Sequence, residues 1–446
     1  MANKAKAVIQ RRGSARNFLF SKTDIGRIKD VERKKAVGVN EVLQSVFPDM
    51  PAGRGFIDLA GQHLDSLAQF TALAIGVDQT RQTEDEYSNP GALDEHVEVA
   101  GILEMICREK SGLWGALETG LFGSIFPDTT ESQGLEIARD IQNRLAVKVE
   151  QTVTIGIAAY PISACKKSDM IENSRKALDH AAFFGPGSAV AFDGVSLNIS
   201  GDKLYENGDL QGAIDEFKRA LLIDPSNVNV HNSLGVCYGL QGEYESAIEE
   251  FKTVASIDPG EYMAMFNLGL VHSLRKQPEK ALEFFLNADK INGDVYEVAF
   301  QSGKIYFESG DLEKAKPLLE RAAKLDPDSG AVYRYLGDCY ATGNLKQDAI
   351  SAYKKAIRHN PHDAASMSAL GCLFDDQGEN PEITLMFCRE SVGLSPENGL
   401  FRYRLGQLYF KQNRFDDALK EYEKAKKFGY DAARDIQEIK NRLAAK

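Results

Sequence analysis

Residues 195–430 repeat one pattern of small and large apolar positions with a period of 34 residues. In each period a Leu or Ser precedes a Gly, and a small residue usually follows that Gly by twelve positions. Two antiparallel helices approach closely only where their facing side chains are small, so this spacing predicts one helix pair per period. The glycines are Gly201, Gly235, Gly269, Gly303, Gly337, Gly371 and Gly406. The pattern therefore predicts an all-α solenoid of seven repeats.

The repeats are predicted at about 194–227, 228–261, 262–295, 296–329, 330–363, 364–398 and 399–431. The sixth departs from the pattern, because residues 375–381 carry one extra residue and Thr384 stands where the others have Ala. We expect this departure to alter the packing of its two helices. After the last repeat, apolar residues recur at helical spacing, which predicts a capping helix over residues 431–446.

Residues 47–194 show a different pattern, in which short apolar runs alternate with amphipathic stretches. Strands are predicted at 70–77, 113–117, 121–126, 152–160 and 188–192, and helices at 93–109, 131–145 and 168–183. This order predicts an α/β domain. Because residues 194–199 leave no room for a long linker, we expect the domain to pack rigidly against the first repeat.

The charge balance limits the class of partner. The chain carries 53 Lys and Arg against 65 Asp and Glu, a net charge of −12, which argues against nucleic acid as the main partner. Residues 1–41 depart from this balance with eleven basic and four acidic side chains. Residues 1–46 are therefore expected to form a basic, flexible arm. Two interpretations remain open for it: a solvated tail, or an electrostatic tether for an acidic protein, a membrane surface or nucleic acid.

The sequence also argues against a membrane-spanning protein and against a metal-binding one. No apolar run reaches the roughly 18–20 residues that cross a bilayer, and the N-terminus lacks an apolar stretch of signal-peptide length. We therefore expect a cytoplasmic protein without an integral membrane segment. Six cysteines are scattered without CxxC spacing, which indicates reduced thiols, and neither a metal nor a cofactor is expected.

The repeated residues resemble the tetratricopeptide repeat family over roughly Val195 to Tyr430. That resemblance implies a protein or peptide ligand, held in a groove that the first helix of each repeat lines. The alternative for each aromatic residue there is packing between repeats. The family's two-carboxylate clamp needs a Lys and an Asn that recur on the first helices, and no such set recurs here. The expected groove residues are Asn198, Asp202, Asn232, Phe266, Phe300, Lys304, Phe307, Arg334, Asp338, Tyr403 and Gln407.

Several short sequence segments of the α/β region resemble, in the same order, segments of the GGDEF domain of diguanylate cyclases. The resemblance extends over about 145 residues and implies a nucleotidyl-cyclase-like α+β fold. These segments are Asp49–Phe56, Ile125–Pro127, Val153–Ala158, Ala177–Ala182 and the turn Gly185–Gly187. In the first of them, Arg54 stands where the family's opening turn has an arginine.

The chemistry of that family does not carry over to this sequence. Its members need carboxylates to hold the metal ions that neutralise the GTP triphosphate. The first-strand position is Gly76 here, with Asp78 two residues later. The hairpin that should read Gly-Gly-Asp-Glu-Phe reads Glu118, Thr119, Gly120, Leu121 and Phe122. We therefore expect a degenerate nucleotide site and no cyclase activity.

The leading hypothesis is a non-catalytic adaptor in bacterial signalling. In this hypothesis the repeats bind a protein or peptide, and the degenerate GGDEF-like domain acts as a sensor or docking unit. A rival hypothesis is a signalling enzyme whose altered hairpin still makes or hydrolyses a cyclic dinucleotide. A third interpretation keeps weak nucleotide binding without catalysis.

Overall fold

The structure is a computed structural model that describes residues 39–78, 90–163 and 165–444. Most of the expected basic arm, residues 1–38, lies outside the described residues. The chain divides into two compact units, Met1–Pro259 and Gly260–Lys446. The first unit contains the sheet and two helix pairs, and the second contains five helix pairs and a final helix.

A five-stranded mixed sheet forms the N-terminal part of the first unit. Its strand order is β2-β3-β1-β4-β5, with β1 antiparallel to both β3 and β4 and with β4 parallel to β5. From β1 to β4 the elements follow a β-α-β-β-α-β order, a split β-α-β arrangement. The strands are β1 (Phe70–Val77), β2 (Leu113–Glu118), β3 (Leu121–Pro127), β4 (Val153–Tyr160) and β5 (Ala189–Ala191). The helices are α1 (Val39–Val46), α2 (Arg54–Ser66), α3 (Pro90–Glu109), α4 (Glu131–Lys148) and α5 (Met170–Ala181).

The central strands are mostly apolar, with few polar residues such as Thr71 and Thr154, because helices cover both faces of the sheet. Helices α1, α3 and α4 pack on one face, where Leu73, Ile75 and Phe122 belong to the core. Helices α2 and α5 pack on the other face, around Phe70 and Ala72. The strands predicted from the apolar runs are all present, and α3, α4 and α5 occupy the predicted helical stretches. The sequence pattern therefore predicted these strands and three of the helices, but not the order of the strands or the helices α1 and α2.

The core of the sheet domain continues into the first helix pair, α6 (Gly194–Glu206) and α7 (Leu210–Ile223). Leu197 of α6 and Phe217 of α7 are fully or nearly fully buried in the same cluster as Phe70 of the sheet. Asp193 caps α6, since its carboxylate accepts a hydrogen bond from the Ser196 amide. The expected rigid packing across residues 194–199 therefore has a structural basis in a shared core.

Helix pairs follow one another to the end of the chain. The first unit adds α8 (Val228–Gln241) and α9 (Tyr244–Ile257). The first helices of the second unit are α10 (Tyr262–Leu274), α12 (Tyr296–Glu308), α14 (Gly330–Thr342), α16 (Ala364–Asp376) and α18 (Gly399–Lys411). Their second helices are α11 (Pro278–Ile291), α13 (Leu312–Leu325), α15 (Lys346–His359), α17 (Pro381–Leu394) and α19 (Phe415–Lys427). The last helix is α20 (Ala433–Ala444), and its Ile439 is fully buried against the seventh pair.

The repeat glycines lie where the two helices of a pair cross. A Cβ atom added to Gly337 would lie 2.5 Å from Cε1 of Tyr353, so the ring fills the space that the glycine leaves. The same pairing joins Gly235 to Phe251 and Gly406 to Tyr422. This geometry explains the 34-residue pattern, because only glycine lets a large side chain of the second helix pack against the backbone of the first.

Candidate functional site

The first helices of repeats 4 to 7 contact one another in sequence and present one continuous surface within the second unit. We call this surface the first-helix face. It comprises Phe300, Lys304, Phe307, Arg334, Tyr335, Asp338, Ser368, Cys372 and Arg404. Ser368 is buried, and each of the other side chains is partly exposed to solvent.

One end of the first-helix face is aromatic. The ring of Tyr335 on α14 meets two rings of α12 edge-on, with centroid distances of 5.5 Å to Phe300 and 6.1 Å to Phe307. Phe300 also stacks on Tyr296 at 6.0 Å. These rings are half-buried, so each keeps apolar area that a ligand side chain can cover.

Two cations flank the same tyrosine ring. The Lys304 Nζ lies 5.8 Å and the Arg334 Cζ 5.1 Å from the Tyr335 ring centroid, which is cation–π distance. Their ion pairs are at the long limit, 3.9 Å from Lys304 to Glu308 and 4.0 Å from Arg334 to Asp363. The two cationic side chains are 35% and 36% exposed. Both cations are therefore available to an incoming carboxylate.

The other end of the first-helix face is polar. Asp338 accepts a hydrogen bond of 2.7 Å from the Tyr353 hydroxyl, and Arg404 donates one of 3.1 Å to the Ser368 hydroxyl. Burial raises the pKa of the Asp338 carboxyl, although the Tyr353 hydrogen bond and the nearby arginines act in the opposite direction. This acid is thus held in place by the protein and is only half-exposed.

The structure places the expected groove residues in three settings. Phe300, Lys304, Phe307, Arg334 and Asp338 come together on the first-helix face, as described above. In the first unit, Asn198 and Asn232 are buried, and Asp202 lines a small pocket together with Tyr205 and Ser233.

The remaining expected groove residues pack elsewhere in the second unit. Phe266 is buried against Phe285, with ring centroids 5.5 Å apart. Tyr403 lies 4.5 Å from the ring of Tyr430, near the capping helix, and Gln407 is exposed beside it. Phe266 and Tyr403 thus pack against other aromatic rings, and Phe266 does so within its own repeat and not between repeats.

Sequence reasoning missed four residues of the face, namely Tyr335, Ser368, Cys372 and Arg404. Tyr335 and Arg404 both stand two positions before a repeat glycine, and each contacts the first helix of the preceding repeat. Ser368 receives the Arg404 contact. The position two residues before each repeat glycine could have identified Tyr335 and Arg404. It lies between the positions that were selected around each Leu-Gly pair.

The expected degenerate nucleotide site lies at one end of the sheet. Gly76 of β1 pairs with Leu121 of β3, and the turn residues Thr119 and Gly120 join β2 to β3. The Leu178 side chain of α5 covers Gly76, since a Cβ added there would lie 3.4 Å from it. This end of the sheet is therefore partly covered by the protein itself.

The two acids at this end of the sheet have protein partners. The Asp78 carboxylate accepts hydrogen bonds from the Thr152 hydroxyl at 2.7 Å, the Thr154 hydroxyl at 2.6 Å and the Gly187 amide at 2.8 Å. Glu118 pairs with Arg175 at 2.5 Å. Asp78 thus ties the loop before β5 to β4, a structural role that the sequence did not reveal.

Within residues 39–78, 90–163 and 165–444, no three His, Cys, Asp or Glu side chains are grouped so that they would hold a metal ion. In the same ranges, every helix is too short or too polar to cross a membrane.

Comparison with protein families gives matches throughout the repeat region. The model described as "Tetratricopeptide repeat" matches residues 241–294 and 300–382, and another with that description matches residues 400–428. A model described as "TPR repeat" matches residues 201–242. No curated protein matches the chain.

Several solved structures are similar to parts of the chain. YrrB, described as a TPR protein with an unusual peptide-binding site, is 17% identical over 42% of this chain and 95% of its own, with a TM-score of 0.37. MamA is 27% identical over 37% of this chain and 96% of its own, with a TM-score of 0.34. The pilF protein of Pseudomonas aeruginosa is 18% identical over 47% of this chain and 95% of its own, with a TM-score of 0.44.

Proposed function

We propose that this chain, whose residues 201–428 contain tetratricopeptide repeats, is a non-catalytic adaptor that binds a protein or peptide on its first-helix face. Tetratricopeptide repeats generally mediate protein–protein interactions. The observation that carries the proposal is the half-buried aromatic corner of Phe300, Phe307 and Tyr335, with Lys304 and Arg334 beside it.

The chemistry of this corner defines the ligand that suits it. An apolar or aromatic side chain that covers the exposed ring area would contribute about 1.5–3 kcal/mol. A carboxylate next to that side chain would meet Lys304 and Arg334, whose present ion pairs are long. A peptide with an acidic residue beside an apolar one fits both features. The affinity should fall as salt rises, since both cations are partly solvated.

The test is a selection of peptides from a displayed library on the full-length chain, followed by calorimetric titration of the best binder. The double variant Lys304→Glu/Arg334→Glu should weaken binding at least about tenfold, which corresponds to 1.4 kcal/mol. The matched control is Lys324→Glu, an exposed charge reversal at the end of a second helix, which should bind like wild type. Equal weakening by the control and the double variant would contradict the proposal.

For the sheet domain we propose a sensor or docking role in bacterial signalling, as a degenerate GGDEF-like domain without catalysis. The support for this role is local. Asp78 and Glu118, the acids closest to the family's metal positions, are engaged by Thr152, Thr154 and Arg175. A carboxylate that is already satisfied by hydrogen bonds and a cation is poorly placed to hold a metal ion.

Two measurements separate this role from its rivals. Incubation of the full-length protein with GTP and Mg²⁺ or Mn²⁺ should give no cyclic dinucleotide, and any such product would support the enzyme instead. Thermal-shift screening tests binding without catalysis, because a nucleotide at 100 times its Kd stabilises a protein by about 2.7 kcal/mol. A clear shift with a guanine nucleotide would favour the nucleotide-binding sensor.

A further inference from the structure

Two arginines of the first-helix face lie along the helix that separates them. Arg334 of α14 has its Nη1 4.0 Å from the carboxylate of Asp363, the N-cap residue of α16. Arg404 of α18 donates a hydrogen bond of 3.1 Å from its Nη1 to the hydroxyl of Ser368 on α16. Asp363 and Ser368 are five positions apart in the sequence, which corresponds to a rise of about 8 Å along a helix axis. The helix α16 thus sets the spacing between the two guanidinium groups.

Arg404 differs from Arg402, two positions earlier on α18, in the partners of its charge. Arg402 is only 12% exposed and is satisfied by the protein, with Nη1 2.6 Å from Glu421 and Nε donating to the Pro396 carbonyl at 2.8 Å. Arg404 is half-buried, and its contact among the described residues is with a neutral hydroxyl. A guanidinium carries five N–H donors in a planar fork, and that contact uses one of them. Arg404 therefore keeps donors for a carboxylate of a ligand.

The charge of the first-helix face suits an acidic ligand. The face carries three cations, Lys304, Arg334 and Arg404, and one acid, Asp338, although the whole chain has a net charge of −12. Asp363, the acid beside Arg334, is 7% exposed and accepts hydrogen bonds from two backbone amides and one hydroxyl at the start of α16. This carboxylate is thus used mainly to cap its own helix.

We propose that Arg334 and Arg404 form a pair of carboxylate sites, so that the ligand of the first-helix face is a peptide with two acidic residues. This inference rests on the proposed function and adds the second acid and its spacing from the first. An extended peptide advances about 3.3 Å per residue, so a separation of about 8 Å corresponds to two or three residues. On α16 the face consists of Ser368 and Cys372, whose small side chains allow a peptide backbone to approach the helix.

The length of the two arginine side chains widens this spacing by about one residue. We therefore expect the second acid two to four positions from the first. A planar guanidinium binds a carboxylate through two parallel hydrogen bonds, so each arginine can hold one acid of the ligand.

The test measures the binding of fluorescein-labelled Gly-Ser peptides to the full-length protein by fluorescence anisotropy. One peptide carries a single Trp-Glu pair for the aromatic corner, and the others add a second Glu at successive positions on either side of that pair. A second Glu two to four positions from the first should strengthen binding about fivefold or more, because it adds a charge-assisted hydrogen bond. A second Glu seven or eight positions away should add less than about twofold, since it lies beyond Arg404. A gain that does not depend on position would overturn the proposal.

Arg404→Gln identifies the group that holds the second acid. In this variant the gain from the second Glu should fall below about twofold, because the amide lacks the charge and the fork of the guanidinium. Arg404→Lys keeps the charge without the fork and should retain part of the gain. The matched control is Arg358→Gln, which removes an exposed arginine of α15 and should leave the gain as in wild type.

The two proposals fail in different ways. If the peptide with one Glu binds, but the second Glu strengthens binding equally in the wild-type protein and in Arg404→Gln, then Arg404 is not the second carboxylate site. If the peptide with one Glu does not bind the wild-type protein, the proposed function is wrong, and the paired sites are wrong with it.

Discussion

Burial opposes the ionisation of Asp338, an acid on the first-helix face. Burial raises its pKa above the ordinary value of 3.8, although Tyr353 and the arginines partly offset this effect. Because the folded pKa exceeds the unfolded one, the protonated form stabilises the fold at low pH. This contribution is lost as the pH rises through the raised pKa.

The variant Asp338→Asn tests this sign. Asn keeps an acceptor oxygen for the Tyr353 hydroxyl but does not titrate. Its stability relative to wild type should therefore increase as the pH rises from about 4 through the raised pKa, where the wild-type acid loses its proton. The measurement is the urea midpoint of both proteins at each pH. Midpoints that move in parallel would show that burial does not perturb this carboxyl.

The residues of the candidate site were partly accessible to sequence reasoning. Five of them were expected from the resemblance to tetratricopeptide repeats, which implies a groove lined by positions that flank each Leu-Gly pair. They are Phe300, Lys304, Phe307, Arg334 and Asp338. Whether such a residue stays open depends on its neighbours in space. Phe266 is buried by Phe285 from the second helix of its repeat, and the sequence alone does not show that contact.

The packing at a repeat glycine can be tested by adding a methyl group where the two helices of a pair cross. A Cβ at Gly337 would overlap the Tyr353 ring, whereas at Gly393, in the exposed part of α17, nothing lies within 4 Å. Gly337→Ala should lower the free energy of unfolding by about 1–3 kcal/mol through overpacking. Gly393→Ala should raise it by up to about 1 kcal/mol, because alanine favours the helix.

Denaturant unfolding of the two alanine variants measures this difference. Both substitutions add the same methyl group to a helical glycine, so helix propensity is matched and only the packing differs. Equal effects of the two changes would contradict the role of Gly337 at the crossing.

The period of 34 predicted the helix pairs because each crossing imposes the same small residue. It could not predict the sixth crossing in detail. One extra residue after Gly371 moves the packing positions to thirteen and seventeen residues beyond the glycine, where Thr384 and Cys388 stand. Both are buried there, with the Thr384 hydroxyl donating to the Asn380 carbonyl at 3.2 Å. The consequence of an insertion depends on which residues it moves into the interface.

In the first unit as a whole, a buried ion pair joins the sheet domain to the first repeat. The Lys176 Nζ lies 2.7 Å from the Glu216 carboxylate, and the side chains are only 10% and 11% exposed. Arg219 also contacts Glu216, at 3.1 Å. Together with the shared apolar core, this pair makes the boundary at residue 194 a packed interface. A fragment that begins at residue 195 would therefore expose apolar core, which is why the binding experiments use the full chain.

Lys176→Met should destabilise the first unit by about 3 kcal/mol, because the buried Glu216 carboxylate loses one of its two cationic partners among the described residues and keeps Arg219. The double variant Lys176→Met/Glu216→Leu should recover most of that loss, since well-packed apolar side chains often replace a buried ion pair without cost. Urea unfolding followed by a probe in the first unit compares the three proteins. A double variant as unstable as the single one would show that the pair is not the source of the effect.

The central claim concerns the first-helix face, and the most direct test is a crystal structure of the full-length chain with a peptide selected on it. The account predicts that the peptide lies across α12 and α14, with an apolar side chain against Phe300, Phe307 and Tyr335. A carboxylate of the peptide should lie within hydrogen-bond distance of Lys304 or Arg334. A peptide that binds the second helices or the sheet domain, with those rings uncovered, would contradict the account.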